Sequence, residues 1–217
     1  VEFKTNKGFD YYDPILQRLR SNGIKVLLII DYATVYGRPD RGAPDGEWTH
    51  FLDKFAAEAG KIAKHYGNDI DAWQIWNEPD LMAQHGYDPY IPPEHYGSML
   101  EKTTGAIKQH ADTPVVTAGL ASGNPDYLTQ AKSAVGGLNV DGVGLHPYGQ
   151  RAPDDWPNAD WGFGNMSDLI NRYAAFGKPL WISEIGTRYK DVRADYLTNV
   201  YELAEQMGPQ TVAHVFW

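Results

Sequence analysis

Two stretches of this chain, Trp76-Asn77-Glu78-Pro79 and Trp181-Ile182-Ser183-Glu184-Ile185-Gly186, each carry an apolar run onto a glutamate. Pro79 and Gly186 then break the run. A strand that stops on a carboxylate leaves that carboxylate at its C-terminal tip. Where strands alternate with helices, the strands run parallel and all such tips reach one face, so glutamates distant in sequence become neighbours. What the chain can fold into therefore depends on whether that alternation holds throughout.

It does. Val1-Glu2-Phe3-Lys4 alternates like a strand, and Asp13-Pro14 reads as the start of a helix that turns Ile15, Leu16 and Leu19 inward and stops at Gly23. Ile24 to Asp31 is a near-continuous apolar run, as expected of a strand buried on both faces. A helix is expected from about Thr49 to Tyr66, with Phe51, Phe55, Ala59 and Ile62 on one stripe. Further strands are expected at Ile70–Asn77, Pro114–Gly119, Val140–His146, Pro179–Glu184 and Thr211–Trp217. Helices opened by Pro92-Pro93-Glu94 and by Asn124-Pro125, then Ser167–Phe176 and Asp191–Met207, fall between them. Seven strands with six intervening helices imply a parallel sheet, and no glycine-rich phosphate loop follows an early strand. A closed α/β barrel fits better than an open doubly wound sheet.

Composition narrows the function. The 217 residues suit one domain, 1–217. A net charge of −9 argues against nucleic-acid binding, which needs a basic face. No apolar run approaches membrane-spanning length, so no membrane partner is expected. With no cysteine, and with seven histidines in no His-x-His or His-Glu-x-x-His arrangement, no metal site and no cofactor are expected. No Gly-x-Ser-x-Gly elbow points to an esterase. Aromatic residues make up 13% of the chain, which suits either a sugar-binding cleft or a large core.

A glycosidic oxygen is a poor leaving group. One carboxylic acid must protonate it while a second carboxylate attacks the anomeric carbon. Two glutamates on separate strand tips that reach one face are the residue types that this chemistry requires, so the chain reads as a glycoside hydrolase acting on a carbohydrate substrate. Trp76 and Trp181 lie inside their strands and read as core. Asp31 and Tyr32 end a strand and are expected to face the cleft, with a helix-capping role for Asp31 as the alternative.

On these motifs the chain resembles the retaining glycoside hydrolases of clan A, and within it families 39 and 5 most. Their TIM (β/α)8 barrels carry Asn-Glu-Pro at the end of strand four and a second glutamate at the end of strand seven. The resemblance implies that Glu78 is the acid/base and Glu184 the nucleophile, and that Asn77 holds the substrate's 2-hydroxyl. It places His146 and Tyr148 of His146-Pro147-Tyr148 in the cleft, with the tyrosine touching the nucleophile, and makes Trp217 a sugar platform. By residues alone, His146 reads equally as a core histidine and Trp217 as buried packing.

The resemblance runs from the family's strand two to its strand eight, so strand one, helix one and the final helix have no counterpart in residues 1–217. Strands two and eight would then have open edges, and another segment or a second chain is expected to close them. Secretion or a periplasmic location is implied by family habit. A non-catalytic carbohydrate-binding barrel and a transglycosylase with the same site are the rival readings. Loops 85–93 and 148–163, the latter with Trp156 and Trp161, are expected to shape the cleft.

Overall fold

The computed structural model describes residues 1–82, 89–155, 165–208 and 212–215. Their order is α1 (Phe9–Ser21), β1 (Leu27–Ile30), α2 (Asp45–Tyr66), β2 (Ala72–Ile75), α3 (Pro93–Lys108), β3 (Val115–Thr117), α4 (Asp126–Val135), β4 (Val143–Leu145), α5 (Met166–Tyr173), β5 (Leu180–Ile182), α6 (Arg193–Met207) and β6 (Val212–Val215). All strand pairs are parallel, in two three-stranded runs, β1-β2-β3 and β4-β5-β6. A single Val116–Gly142 bridge joins the runs, reinforced by Thr117 N donating to Gly142 O at 3.2 Å. The result is a partial TIM barrel of the α/β class, with its strands in sequence order.

The strands β2, β3, β4 and β5 are buried along their whole length, which explains their unbroken apolar runs. Two aspartates pin the start of the sheet. Asp71, ahead of β2, accepts from Val26 N at 2.7 Å, and Asp141, ahead of β4, accepts from Val115 N at 2.8 Å. Each satisfies an N–H at the beginning of the neighbouring strand that no ladder partner reaches. Helices α2, α3 and α4 pack outside the sheet around Trp48, Phe55, Tyr96, Met99 and Leu128, all fully buried. Where α3 meets α4 only glycine fits, since a Cβ on Gly97 would stand 2.4 Å from the carbonyl oxygen of Ala131.

Several boundaries differ from those expected. The first segment, Val1–Lys4, pairs with β1 through the Glu2–Ile29 bridge and through Phe3 N donating to Ile29 O at 3.0 Å, but it forms no extended strand. Among the described residues, six strands and a bridge therefore replace the seven expected. The first helix does not begin at Asp13-Pro14. It begins at Phe9, leaving Pro14 inside it. The earlier start is held by aromatic packing, because Tyr12 stacks on Phe3 at 4.7 Å and Phe9 meets Tyr66 edge-on at 5.6 Å. Ile15, expected inward, is 36% exposed. Helix α2 begins one turn before Thr49, directly after Pro44.

Asp31 departs most from expectation. It does not open onto a cleft, being 1% exposed in the turn after β1, where its Oδ1 accepts from Ala33 N at 2.8 Å. The helix-capping alternative does not hold either, because this is a turn and the next helix begins only at Asp45. Burial, with the nearby Glu2 carboxylate adding to it, pushes the Asp31 carboxyl up to about 7. The folded chain thus binds a proton that the unfolded chain, with its aspartate near the usual 3.9, has released. Stability is expected to fall as pH rises from about 4 through about 7. Asp31→Asn keeps the acceptor for Ala33 and should flatten that slope. Denaturant titrations across this range check it, and equal slopes for both proteins would contradict it.

Candidate active site

Both motif glutamates lie just beyond strand ends. Glu78 follows β2 by three residues, and the backbone between them is contorted, with Trp76 at φ 71° and Glu78 at φ 47°. For residues with side chains this left-handed backbone is strained, and it persists only where surroundings over-determine it. They do so here. Trp76 is fully buried, donates from its backbone to Ile30 O at 2.7 Å and from Nε1 to Pro89 O at 2.8 Å, and meets Tyr32 edge-on at 5.7 Å. Asp80 then anchors the turn by accepting from Ala121 N and Ser122 N, each at 2.8 Å. The buried Tyr96 hydroxyl donates to Ile75 O at 2.9 Å and accepts from Ala118 N at 2.8 Å, tying β2 to β3 beneath the site.

Glu184 follows β5, whose pairing continues as Ser183 N donates to Leu145 O at 3.2 Å. One carboxylate oxygen of each glutamate and one ring nitrogen of His146 lie within 4.8 Å of one another. His146 Nδ1 is 3.2 Å from Glu78 Oε1, and its Nε2 is 3.8 Å from Glu184 Oε2. The imidazole is 2% exposed and stands between the carboxylates. It can do so because position 119 is glycine: a Cβ there would lie 2.2 Å from the His146 ring. The Tyr148 hydroxyl donates to Glu184 Oε1. Burial and the carboxylates of Glu184 and Glu78 push this phenol well above its ordinary range, so it remains a donor at any physiological pH.

Glu78, Tyr148, Glu184 and Gly186 line one cavity of about 690 Å³, a volume within the usual span of small-ligand sites. No helix among the described residues is long and apolar enough to cross a membrane.

The family model for cellulase (glycosyl hydrolase family 5) matches residues 3–217. The chain belongs to this family. A stretch of 97 residues, 42% of the chain, is 34% identical to beta-glucosidase 38 of Oryza sativa subsp. japonica and covers 19% of that protein. Among solved structures, the fold is similar to a family 39 glycoside hydrolase from Bacteroides cellulosilyticus WH2, with a TM-score of 0.69 and 20% identity over 96% of this chain and 46% of that one. It is also similar to fungal beta-1,4-galactanases, with a TM-score of 0.68 and 13% identity over 95% of this chain and 71% of theirs. The chain thus spans a fifth or less of the rice relative (19%) and under half (46%) of the family 39 structure.

For this member of the cellulase family, the structure brings Glu78, Glu184, His146 and Tyr148 together. Asn77 is half-buried beside them, and its Oδ1 lies 3.5 Å from the buried Gln74 Nε2. Tyr32 packs on Trp76, behind Glu78. Trp217, His85, Trp156 and Trp161 lie outside the described residues. His146 is buried and touches Glu78 from behind the cavity, whose lining does not include it. Gln150, in the loop expected to shape the cleft, lines the cavity, whereas Thr187, Arg188, Arg193 and Tyr196 escaped the sequence reading. Thr187 and Arg188 stand immediately beyond the Gly186 motif, and that position could have flagged them. Arg193 and Tyr196 sit on α6, where only helical periodicity was visible.

Proposed function

We propose that this chain is the catalytic barrel of a retaining β-glycosidase, with Glu78 as acid/base and Glu184 as nucleophile. The observation that carries this reading is the carboxylate separation. Oxygens of the two glutamates lie within 4.8 Å, which suits the retaining spacing of roughly 5–5.5 Å between carboxyls and not the inverting spacing of roughly 6.5–9.5 Å. At the shorter spacing no water fits between carboxylate and sugar, so the second carboxylate must itself attack.

The surroundings support the division of roles. Tyr148 donates to Glu184, so Glu184 acts as an acceptor, as a nucleophilic carboxylate must. Glu78 is the more enclosed of the two, 17% exposed against 46%, and His146 fixes its orientation toward the leaving group. Attack by Glu184 breaks the glycosidic bond as Glu78 gives its proton to the departing oxygen. Glu78, now a carboxylate, next takes a proton from water, which displaces Glu184 from the anomeric carbon. The rice relative's name, a beta-glucosidase, agrees with a β-linked substrate.

The test is the first-formed product of an aryl β-glycoside, followed by proton NMR. The β-anomer is expected at once, with the α-anomer growing in only by mutarotation, and an initial α-product would overturn the proposal. Tyr148→Phe should lower kcat about 10- to 100-fold through loss of a charge-assisted hydrogen bond. Steady-state kinetics check this, and an unchanged kcat would remove Tyr148 from the mechanism.

A further inference from the structure

We propose that the cavity takes a saccharide bearing a carboxylate, and that Arg188 and Arg193 are the groups that bind this anion. The inference rests on the glycosidase reading above and names its substrate class.

Both arginines line the cavity that holds Glu78 and Glu184, and both are exposed to solvent. Neither forms an ion pair with a carboxylate among the described residues, although acidic residues outnumber basic ones 28 to 19. Three other arginines find carboxylates, Arg20 with Asp69, Arg172 with Asp168 and Arg151 with Asp191, while Arg18, away from the cavity, pairs with none among the described residues. Arg151 makes the contrast local. It and Arg188 both sit over the Tyr189 ring, at 5.0 and 5.1 Å, yet only Arg151 has a carboxylate. Among the described residues Arg188 is steadied by Tyr189 alone, donating from Nη2 to its hydroxyl at 3.1 Å, which leaves the rest of its guanidinium fork without a partner there.

Two such forks beside two glutamates have a clear electrostatic consequence. The Glu184 carboxylate alone would repel an anionic sugar, and Arg188 and Arg193 supply two positive charges within the same cavity. A planar guanidinium matches a carboxylate in bidentate fashion, a geometry that a neutral hydroxyl does not exploit. A β-linked glycan carrying uronic acid residues presents that group at sugar spacing.

The experiment uses the full-length enzyme and a panel of β-linked, uronate-bearing polysaccharides. Each polymer is assayed before and after its carboxyls are reduced to alcohols, with a neutral aryl β-glycoside alongside. For at least one polymer, kcat/KM should be at least about tenfold higher on the acidic form, the worth of one charge-assisted pair. The preference should shrink with added salt, and in Arg188→Ala and Arg193→Ala, while Arg188→Lys keeps part of it. Thermal melts of the variants should match wild type, since both side chains are exposed. Equal rates on both forms, a preference for the reduced form, cleavage of the aryl glycoside only, or a preference that survives both alanine substitutions would overturn the proposal and leave the glycosidase reading standing. No turnover of any substrate would overturn both.

Discussion

Replacing Glu184 with alanine is expected to lower turnover of every β-glycoside by at least about 10⁴-fold, because no covalent intermediate can form without the attacking carboxylate. Glu78→Ala should behave differently. Its loss removes proton donation, which a good leaving group does not need, so dinitrophenyl glycosides should still release their phenol in a rapid first step. The glycosyl-enzyme then accumulates, since no base remains to activate water. Azide requires no base, and adding it should restore turnover of Glu78→Ala and yield a β-glycosyl azide. If both variants responded to azide in the same way, the division of roles would be wrong even if both residues proved essential.

Gly119→Ala carries the second large effect, although position 119 holds no chemistry. The added methyl would lie 2.2 Å from Cδ2 of His146 and 2.6 Å from Nε2, distances that no rotation of a buried ring relieves cheaply. His146 must move, and its 3.2 Å contact with Glu78 goes with it. A misplacement of about 1 Å in a catalytic group can cost about 10²-fold in rate, and overpacking a buried site costs about 1–3 kcal/mol of stability. Both losses are expected, in kcat and in the melting temperature. The double variant Gly119→Ala/His146→Ala should regain stability but not rate, because removing the ring relieves the clash without restoring the contact. Wild-type kcat in the single variant would show that the position of His146 does not govern the site.

The order of elements and the facing of the two glutamates were legible because both rest on local signals. Buried parallel strands such as β2 and β5 read as apolar runs, and the Pro79 and Gly186 breaks mark their ends. Asp31 was harder to read, because a strand-end aspartate looks the same whether it faces a cleft or caps its own turn. Only the folded chain shows it enclosed, bonding Ala33. The start of α1 was misread for a similar reason. Pro14 is the stronger local signal, and the contacts of Phe9 and Tyr12 with Phe3 and Tyr66 that override it are made across the fold. The Gly119–His146 fit is likewise invisible in sequence, being a matter of space between two strand ends.

Covalent trapping tests the central claim most directly. A 2-deoxy-2-fluoro β-glycoside with an activated leaving group slows the second displacement more than the first, so a nucleophile that forms a glycosyl-enzyme stays labelled. Intact-mass spectrometry of the treated enzyme, followed by peptide mapping, should show one added fluoroglycosyl group, and it should sit on Glu184. An adduct on Glu78, or no adduct from an enzyme that turns over the parent glycoside, would contradict the account.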